Sequence, residues 1–296
     1  MHTYEFETVN DMFVGMAQNL LKYGNEVSPR DKKTLELYPC HISILNPSNS
    51  IVIHPLREMR YDFLIMEPLW ILSGDEEPWI INYLKNMDRF TNIVDGRKRL
   101  MGGYGPRIRH HFGFDQLQYV IDTLNKDRDT RQAIITISDP TVDHNGYNDF
   151  PCTQSLHFLV RNDRLNLITT MRSNDWWLGA VYDFFLFNLL LHIVSSITKI
   201  PVGTYFHNAT SFHVYETHFG KLKMIVENPK AKITDINIPS LSTLKYDSLD
   251  EVYEDASYGK NLKTSNILPP NDRYLTRLMR YVLSPKESFK SSQSVV

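Results

Sequence analysis

The stretch that decides the fold lies between residues 150 and 215 and contains four short motifs: Phe150-Pro151-Cys152, Arg172-Ser173-Asn174-Asp175, Leu178-Gly179-Ala180-Val181-Tyr182-Asp183 and His213-Val214-Tyr215. Apolar residues alternate over 154–160 and 165–171, which predicts two strands joined as a hairpin across residues 161–164. A long apolar run then predicts a helix over 182–198, and residues 204–215 return as a strand. Helices and strands are mixed along the chain, which indicates an α+β fold.

The chain on either side of this stretch contains neither repeats nor linkers. Apolar spacing predicts further helices and strands, at residues 10–24, 62–73 and 114–125 for helices and 36–44, 51–54 and 131–137 for strands. We therefore expect one domain over residues 1–296. Its last residues, 285–296, are rich in serine and lysine and are expected to form a mobile tail.

Composition excludes several classes of function. The 296 residues carry a net charge of −2 and are 42% hydrophobic, so nothing favours nucleic acid or an anionic membrane as partner. The first seven residues lack the basic and apolar regions of a secretory signal. Polar residues interrupt the apolar run 180–197, which predicts a buried helix rather than a membrane span. Two cysteines make no disulfide framework, and a cytoplasmic location is expected.

The four motifs together resemble those of the thymidylate synthase family. That family has a Pro-Cys nucleophile, an Arg-Ser-x-Asp box, a Leu-Gly-x-x-x-Asn stretch and a His-x-Tyr pair. The resemblance implies a bent mixed sheet flanked by helices, with the outer sheet face forming a two-fold homodimer. It also implies a pyrimidine nucleoside monophosphate as substrate and 5,10-methylenetetrahydrofolate as cosubstrate, with no metal.

Cys152 is the candidate nucleophile. A lone intracellular cysteine is more often a small buried apolar residue, and Cys40 keeps that interpretation. Pro151 fixes the backbone before Cys152, and Arg172 lies one hairpin away, where a cation lowers the pKa of a thiol. A thiolate that adds at C6 of a pyrimidine turns C5 into a carbon able to attack a one-carbon electrophile.

The resemblance also implies the phosphate-binding residues. Arginine and hydroxyl groups suit phosphate oxygens, and Arg172, Ser173 and Arg30 match family phosphate ligands. Arg131 matches another, which would reach the site of the partner subunit. The family has a second arginine directly after it, where this chain has Gln132.

Two further sets of residues follow from the same resemblance. His213 and Tyr215 alternate on one strand face and would contact the 3′-hydroxyl of the sugar, although a half-buried structural pair is the alternative. Asp175 would bind the folate pterin, with Leu178 and Gly179 beside it.

Glu67 and Tyr104 are the remaining catalytic candidates. Glu67 stands in an apolar helix, where an unpaired carboxylate is costly. Either an arginine partner neutralises it, or its pKa is raised and it shuttles protons near the base. Tyr104 matches the family tyrosine that assists proton removal from C5.

Asp183 stands where the family has the asparagine that recognises uracil. Cytosine inverts the hydrogen-bond pattern of uracil, and an aspartate accepts from its N4 amine and shares a proton with N3. This change is typical of the deoxycytidylate hydroxymethylases of the family. Asp183 is therefore predicted to be both catalytic and substrate-binding; a helix cap is the simpler alternative.

Three departures from the family favour water over hydride as the final reactant. Residues 88–103 contain no tryptophan, Thr153 replaces a histidine, and residues 291–296 lack the usual ending. The sequence thus predicts a cytidylate 5-hydroxymethyltransferase. A cytidylate methyltransferase, a divergent thymidylate synthase and a non-catalytic nucleotide or RNA binder stay open, as does the choice of dCMP or CMP. Residues 245–272 carry no predicted role.

Overall fold

The predicted hairpin forms the centre of the main sheet. The computed structural model describes residues 2–231 and 238–284. Within them, Thr153–Arg161 pairs antiparallel with Arg164–Asp175. Asn162 and Asp163 connect the two strands with φ values of 54° and 58°. Two consecutive positive φ angles match the right-handed twist of a hairpin, and asparagine and aspartate tolerate them well.

The described residues contain ten strands, in chain order β1 (His2–Phe6), β2 (Asn25–Val27), β3 (Thr34–Leu37), β4 (Cys40–Ile44), β5 (Asn92–Val94), β6 (Arg97–Arg99), β7 (Ile134–Thr136), β8 (Thr153–Arg161), β9 (Arg164–Asp175) and β10 (Val202–Tyr215). They also contain ten α-helices, α1 (Val9–Tyr23), α2 (Tyr61–Ser73), α3 (Tyr104–Arg109), α4 (Gln116–Lys126), α5 (Pro140–Asp143), α6 (Ala180–Thr198), α7 (Phe219–Glu227), α8 (Leu249–Ser257), α9 (Leu262–Ser265) and α10 (Tyr274–Leu283).

The main sheet is mixed, as the resemblance implied. Its order is β1-β4-β10-β9-β8-β7, and β3 pairs with β10 beyond the end of β4 and carries β2. Strands β9 and β10 run parallel, which requires a crossover, and α6 provides it. Strand β1, at the edge, runs parallel to β4.

Helix α6 lies at the centre of the hydrophobic core. By length and composition it could cross a membrane, but 78% of its most apolar window is buried. It packs against β9 and β10, as the buried-helix prediction required. The expected mobile tail, residues 285–296, lies outside the described residues.

One strand prediction is wrong, and another is wrong in part. Residues 51–54 form no strand, because the N–H of Ile53 donates to the side chain of Asn10 at 2.9 Å and His54 caps a short turn. The predicted strand 36–44 is divided at Tyr38-Pro39, where proline supplies no N–H to the ladder.

Residues 245–272, for which the sequence predicted no role, cover α2. Helix α8 packs on α2 together with α10. Tyr246 donates its hydroxyl to Asp255 at 2.9 Å, and Arg273 bridges Glu251 to the same carboxylate. The segment therefore encloses the helix that carries Glu67.

Candidate active site

One face of the sheet is covered by the core along the first part of β10 and lines a cleft along the last part. Tyr205 and Ala209 of β10 are buried, while Ser211, His213 and Tyr215 continue the same alternation beyond the core. Across the strand pair, Glu36 of β3 lies opposite His213 and Thr34 lies opposite Tyr215. The cleft has a volume of about 510 Å³ and is lined by Pro29, Arg30, Thr34, Glu36, Phe150, Arg172, Ser173, Ser211, His213 and Tyr215.

The structure thus brings most of the predicted phosphate and sugar residues together. Arg30, Arg172 and Ser173 line the same cleft as His213 and Tyr215. The guanidinium of Arg172 donates to the carbonyl of Pro151 at 3.0 Å, to that of Phe150 at 2.9 Å and to Ser173 Oγ at 3.2 Å. Arg172 is therefore hydrogen-bonded to the segment that carries Cys152, the predicted nucleophile.

Arg131 lies elsewhere in this protomer. It is exposed just before β7, the strand at the opposite edge of the sheet from β3, and it does not line the cleft. Gln132, beside it, is also exposed. Participation of Arg131 in a partner's site stays a prediction.

Cys152 is half-buried beside the cleft. Ser173 Oγ donates to Sγ at 3.7 Å. The predicted lowering of the thiol pKa is wrong as a net effect, because burial raises the pKa of Cys152 and outweighs the opposing charge of Arg172. Cys40 is buried in β4, and burial raises its pKa to about 12, in agreement with a structural role.

Asp183 lies in the first turn of α6, deep in the site. Asn174 Nδ2 donates to Asp183 Oδ2 at 2.6 Å. Burial raises the pKa of Asp183 to about 7, and the bond from Asn174 opposes that rise. The helix-cap alternative is wrong, since Gly179 occupies the N-cap position and the side chain of Asp183 accepts no backbone N–H among the described residues.

Glu67 and Tyr104 face the same region. Burial, followed by the charge of Asp183, raises the pKa of Glu67 to about 8. No ion pair involves Glu67 in the described part of the chain, so the raised-pKa prediction holds against the arginine-partner alternative. The hydroxyl of Tyr104 accepts a hydrogen bond from Thr153 Oγ1 at 3.0 Å, and burial raises its pKa.

The sequence did not identify three residues as part of the site. Asn174 orients Asp183, Thr153 orients Tyr104, and Glu36 lines the cleft beside His213. Asn174 was within a quoted motif, but only the fold shows that its amide reaches a carboxylate nine residues later. Glu36 gave no signal in the sequence, because its position depends on the pairing of β3 with β10.

The residues predicted to bind folate present a hydrogen-bond acceptor. Asp175 Oδ1 accepts from the backbone N–H groups of Trp177 and Leu178, both at 2.7 Å. Its Oδ2 is buried without a partner among the described residues, and burial raises its pKa. Leu178 is 46% exposed, and Gly179 packs so closely that a Cβ there would lie 3.2 Å from Oδ2 of Asp183. Residues 2–231 and 238–284 contain no cluster of three potential metal ligands.

Comparison with known proteins agrees with this geometry. A deoxyuridylate hydroxymethyltransferase of Bacillus phage SP01 is 30% identical over 234 residues, which cover 74% of this chain and 60% of that protein. One of Pseudomonas phage M6 is 29% identical over 199 residues, covering 66% of this chain and 56% of that protein. The matched part thus spans 60% or less of these phage relatives.

A bacterial relative is matched over more of its length. The thymidylate synthase of Mycoplasma genitalium is 30% identical over 241 residues, which cover 72% of this chain and 83% of that enzyme. The pattern of the family described as thymidylate synthase matches residues 11–259. The mixed sheet, the cleft and these similarities together establish that the chain belongs to the thymidylate synthase family, whose members transfer one-carbon units with methylenetetrahydrofolate as cosubstrate.

Proposed function

We propose that this protein transfers a one-carbon unit from 5,10-methylenetetrahydrofolate to C5 of a cytidine monophosphate, dCMP or CMP, with addition of water. The product is the 5-hydroxymethyl nucleotide. The observation that carries the proposal is the Asp183 carboxyl group, held by Asn174 in the position where the family pattern has asparagine.

Base recognition follows from the hydrogen-bond groups. The Asn174 amide donates to Oδ2 of Asp183, so a proton on this carboxyl resides on Oδ1. With a pKa of about 7, that proton is available near neutral pH for ring N3 of cytosine. Oδ2 accepts from the N4 amine. Uracil instead presents O4, an acceptor, to Oδ2, which costs about 1–3 kcal/mol for an unsatisfied group.

The residues of the chain support the bond changes that this reaction requires. The Cys152 thiolate adds to C6, and the displaced electron pair moves to N3, where the Asp183 proton neutralises it. When bound, the folate supplies a one-carbon electrophile for C5. Tyr104, held by Thr153, assists removal of the C5 proton. Glu67, with a pKa of about 8, holds or accepts a proton and orders the water.

The atoms balance for water addition. C5 loses one proton and gains a CH₂ unit as the bonds from that carbon to the two folate nitrogens break, water adds its hydroxyl to the carbon, and the Cys152 sulfur leaves C6. The proton from C5 and the second proton of water replace the CH₂ unit on the folate nitrogens. The nucleotide gains CH₂O overall, and tetrahydrofolate is released without oxidation. The absence of tryptophan from residues 88–103 and the threonine at 153 favour this route over hydride transfer.

Hydroxymethylation of a uridylate is the second candidate, because phage relatives are named deoxyuridylate hydroxymethyltransferases. The two candidates share the nucleophile and the folate and differ in the base. A C5 methyltransferase is the third, distinguished by oxidation of the folate to dihydrofolate.

We further propose a cytoplasmic, single-domain homodimer. Both cysteines are free, which fits a reducing compartment. Ile168 and Phe206 are neighbours in register and partly exposed on the sheet face that alternates with the buried residues Leu167 and Tyr205. A second copy would cover this apolar face and bring Arg131 towards the partner's phosphate.

Asp183→Asn tests the proposal. An amide supplies a donor and an acceptor suited to uracil, so kcat/KM should fall ~10³-fold or more on cytidylate and rise on dUMP. The measurement is kcat/KM of wild type and variant on dCMP, CMP and dUMP. A wild type that prefers dUMP would overturn the cytosine assignment.

A further inference from the structure

Asp149 lies three residues before Cys152 and takes part in none of the steps above. Its Oδ2 accepts a hydrogen bond from the backbone N–H of Gly102 at 3.0 Å. Gly102 belongs to the turn that leads into Tyr104. This contact therefore joins the segment that carries the nucleophile to the segment that carries the tyrosine. A Cβ at residue 102 would lie 2.9 Å from Cγ of Asp149, so glycine permits the approach.

A second contact joins the same two segments on the other side of the nucleophile. Thr153, directly after Cys152, donates its hydroxyl to that of Tyr104 at 3.0 Å. Behind the turn, a Cβ at Gly105 would lie 2.6 Å from the carbonyl oxygen of Ile71 in α2. The turn is thus enclosed between α2 and the Cys152 segment. Two contacts that flank Cys152 fix the position of Tyr104 relative to its sulfur.

The charge of Asp149 does not explain its position. Its carboxylate raises the pKa of the Cys152 thiol, which opposes formation of the nucleophile. Burial raises the pKa of Asp149 to about 6, whereas the Gly102 N–H, Arg107 and Arg172 lower it and Asp143 raises it. Because the Asp149 carboxylate disfavours the thiolate, its position is better explained by a structural role, and the hydrogen bond to the Gly102 N–H provides that role.

We propose that Asp149 is a positioning residue, whose hydrogen bond to Gly102 holds the turn of Tyr104 at the distance from Cys152 that removal of the C5 proton requires. The inference rests on the proposed role of Tyr104. It does not depend on which base is bound, because thiol addition at C6 and proton loss at C5 are common to cytosine and uracil.

The test compares Asp149→Asn with Asp149→Ala. Both remove the charge, but asparagine keeps an oxygen that accepts from the Gly102 N–H. The readouts are kcat and KM, exchange of the C5 hydrogen for deuterium in D₂O, and the pH profile of Cys152 alkylation by iodoacetamide. In both variants alkylation should shift to lower pH. Only Asp149→Ala should lose ~100-fold in kcat and exchange rate, with KM for the nucleotide unchanged, since a displacement of about 1 Å is enough for such a loss.

Gly102→Ala provides an independent arm in case Asp149→Ala does not fold. Its Cβ separates the same two groups while the carboxylate stays, so exchange should fall without a shift of alkylation to lower pH. Asn148→Ala is the matched control, since its side chain contacts Thr91 and not the tyrosine turn; it should behave as wild type.

Equal kcat in wild type and Asp149→Ala, equal loss in both Asp149 variants, or wild-type exchange in Gly102→Ala would each overturn the inference. Failure of the proposed function gives a different result. A wild type that acts only on dUMP refutes the cytosine assignment, whereas the ratios among the variants still decide the role of Asp149. A wild type that exchanges C5 hydrogen in none of dCMP, CMP and dUMP would refute both.

Discussion

The two ends of the active site are built on different physical principles. The sugar–phosphate end is a cleft on the exposed continuation of the sheet face, lined by Arg30, Arg172 and hydroxyl groups. The base end lies deeper and contains Cys152, Glu67 and Asp183, whose pKa values are all raised by burial. In the function proposed above, permanently charged side chains bind the phosphate at one end, and groups whose pKa is raised by burial carry out the chemistry at the other.

This difference predicts that nucleotide affinity and the rate of catalysis depend on different residues. Arginine keeps its proton throughout the physiological pH range, so any pH dependence at the predicted phosphate end would come from the phosphate group itself, whose second pKa is about 6. Carboxyl groups with pKa values of about 7 and 8 change protonation where the enzyme works, which suits proton transfer. Variants at the base end should therefore change kcat, and variants at the phosphate end should change KM.

The largest expected effect is that of Cys152→Ala. Removal of the nucleophile should lower kcat ~10⁴-fold or more, because no other group in the site replaces the bond to C6. Nucleotide affinity, measured by calorimetry, should stay within ~3-fold of wild type. Lost affinity with lost turnover would show that the two ends are not separable, and retained turnover would exclude Cys152 as nucleophile.

Asn174→Ala should have the next largest effect, confined to the base end. It removes the donor to Asp183, and a hydrogen bond to a charged group is worth about 1.5–3 kcal/mol. We expect kcat/KM on cytidylate to fall ~10–100-fold. The activity profile should also move to higher pH, since the bond from Asn174 lowers the pKa of Asp183. An unchanged pH profile would contradict this coupling.

Arg30→Ala should mainly raise KM. Arg30 and Arg172 both line the cleft. Arg172 also donates to the carbonyl of Pro151, next to Cys152, so Arg30 is the arginine whose loss tests phosphate binding alone. Loss of one charge-assisted contact to phosphate corresponds to a roughly 10-fold rise in KM with kcat within ~2-fold. Steady-state kinetics at two salt concentrations measure this, and the salt dependence of KM should decrease. A fall in kcat alone would contradict the division between the ends.

The remaining expected effect is on stability at alkaline pH, not on catalysis. Burial raises the pKa of Glu67 to about 8 in the folded protein, so the folded state binds more protons than the unfolded state between about pH 4.5 and 8. The contribution of Glu67 is fully present below its unfolded pKa and is lost as pH rises through 8. Glu67→Gln, which cannot ionise, should lose less unfolding free energy between pH 5 and 9, by roughly 4 kcal/mol for the full shift of the pKa to about 8. Urea titrations measure this, with Glu5→Gln on the exposed part of β1 as control.

The sequence predicted the centre of the fold well because local patterns suffice there. The β8–β9 hairpin has alternating residues and a turn that accepts positive φ, and α6 has a long apolar run. The apolar run Ile51-Val52-Ile53 predicted a strand, yet burial of Val52 gives no partner for the backbone. The mixed sheet and family membership, by contrast, followed from the motifs and are confirmed.

The motifs indicated many residues that the fold brings to the candidate site, but they did not indicate its electrostatics. Motifs indicated Arg172, Cys152 and Asp183, whereas the balance between burial and Arg172 at the thiol depends on three-dimensional enclosure. Asn174 and Asp149 act through contacts that the spacing of motifs does not reveal.

The most direct test of the central claim is the mass of the nucleotide product. The purified protein is incubated with dCMP, CMP or dUMP and 5,10-methylenetetrahydrofolate, and nucleotide and folate are analysed by mass spectrometry. We expect a gain of CH₂O on a cytidylate, with tetrahydrofolate released. A gain of CH₂ with dihydrofolate, or a product from dUMP alone, would contradict it.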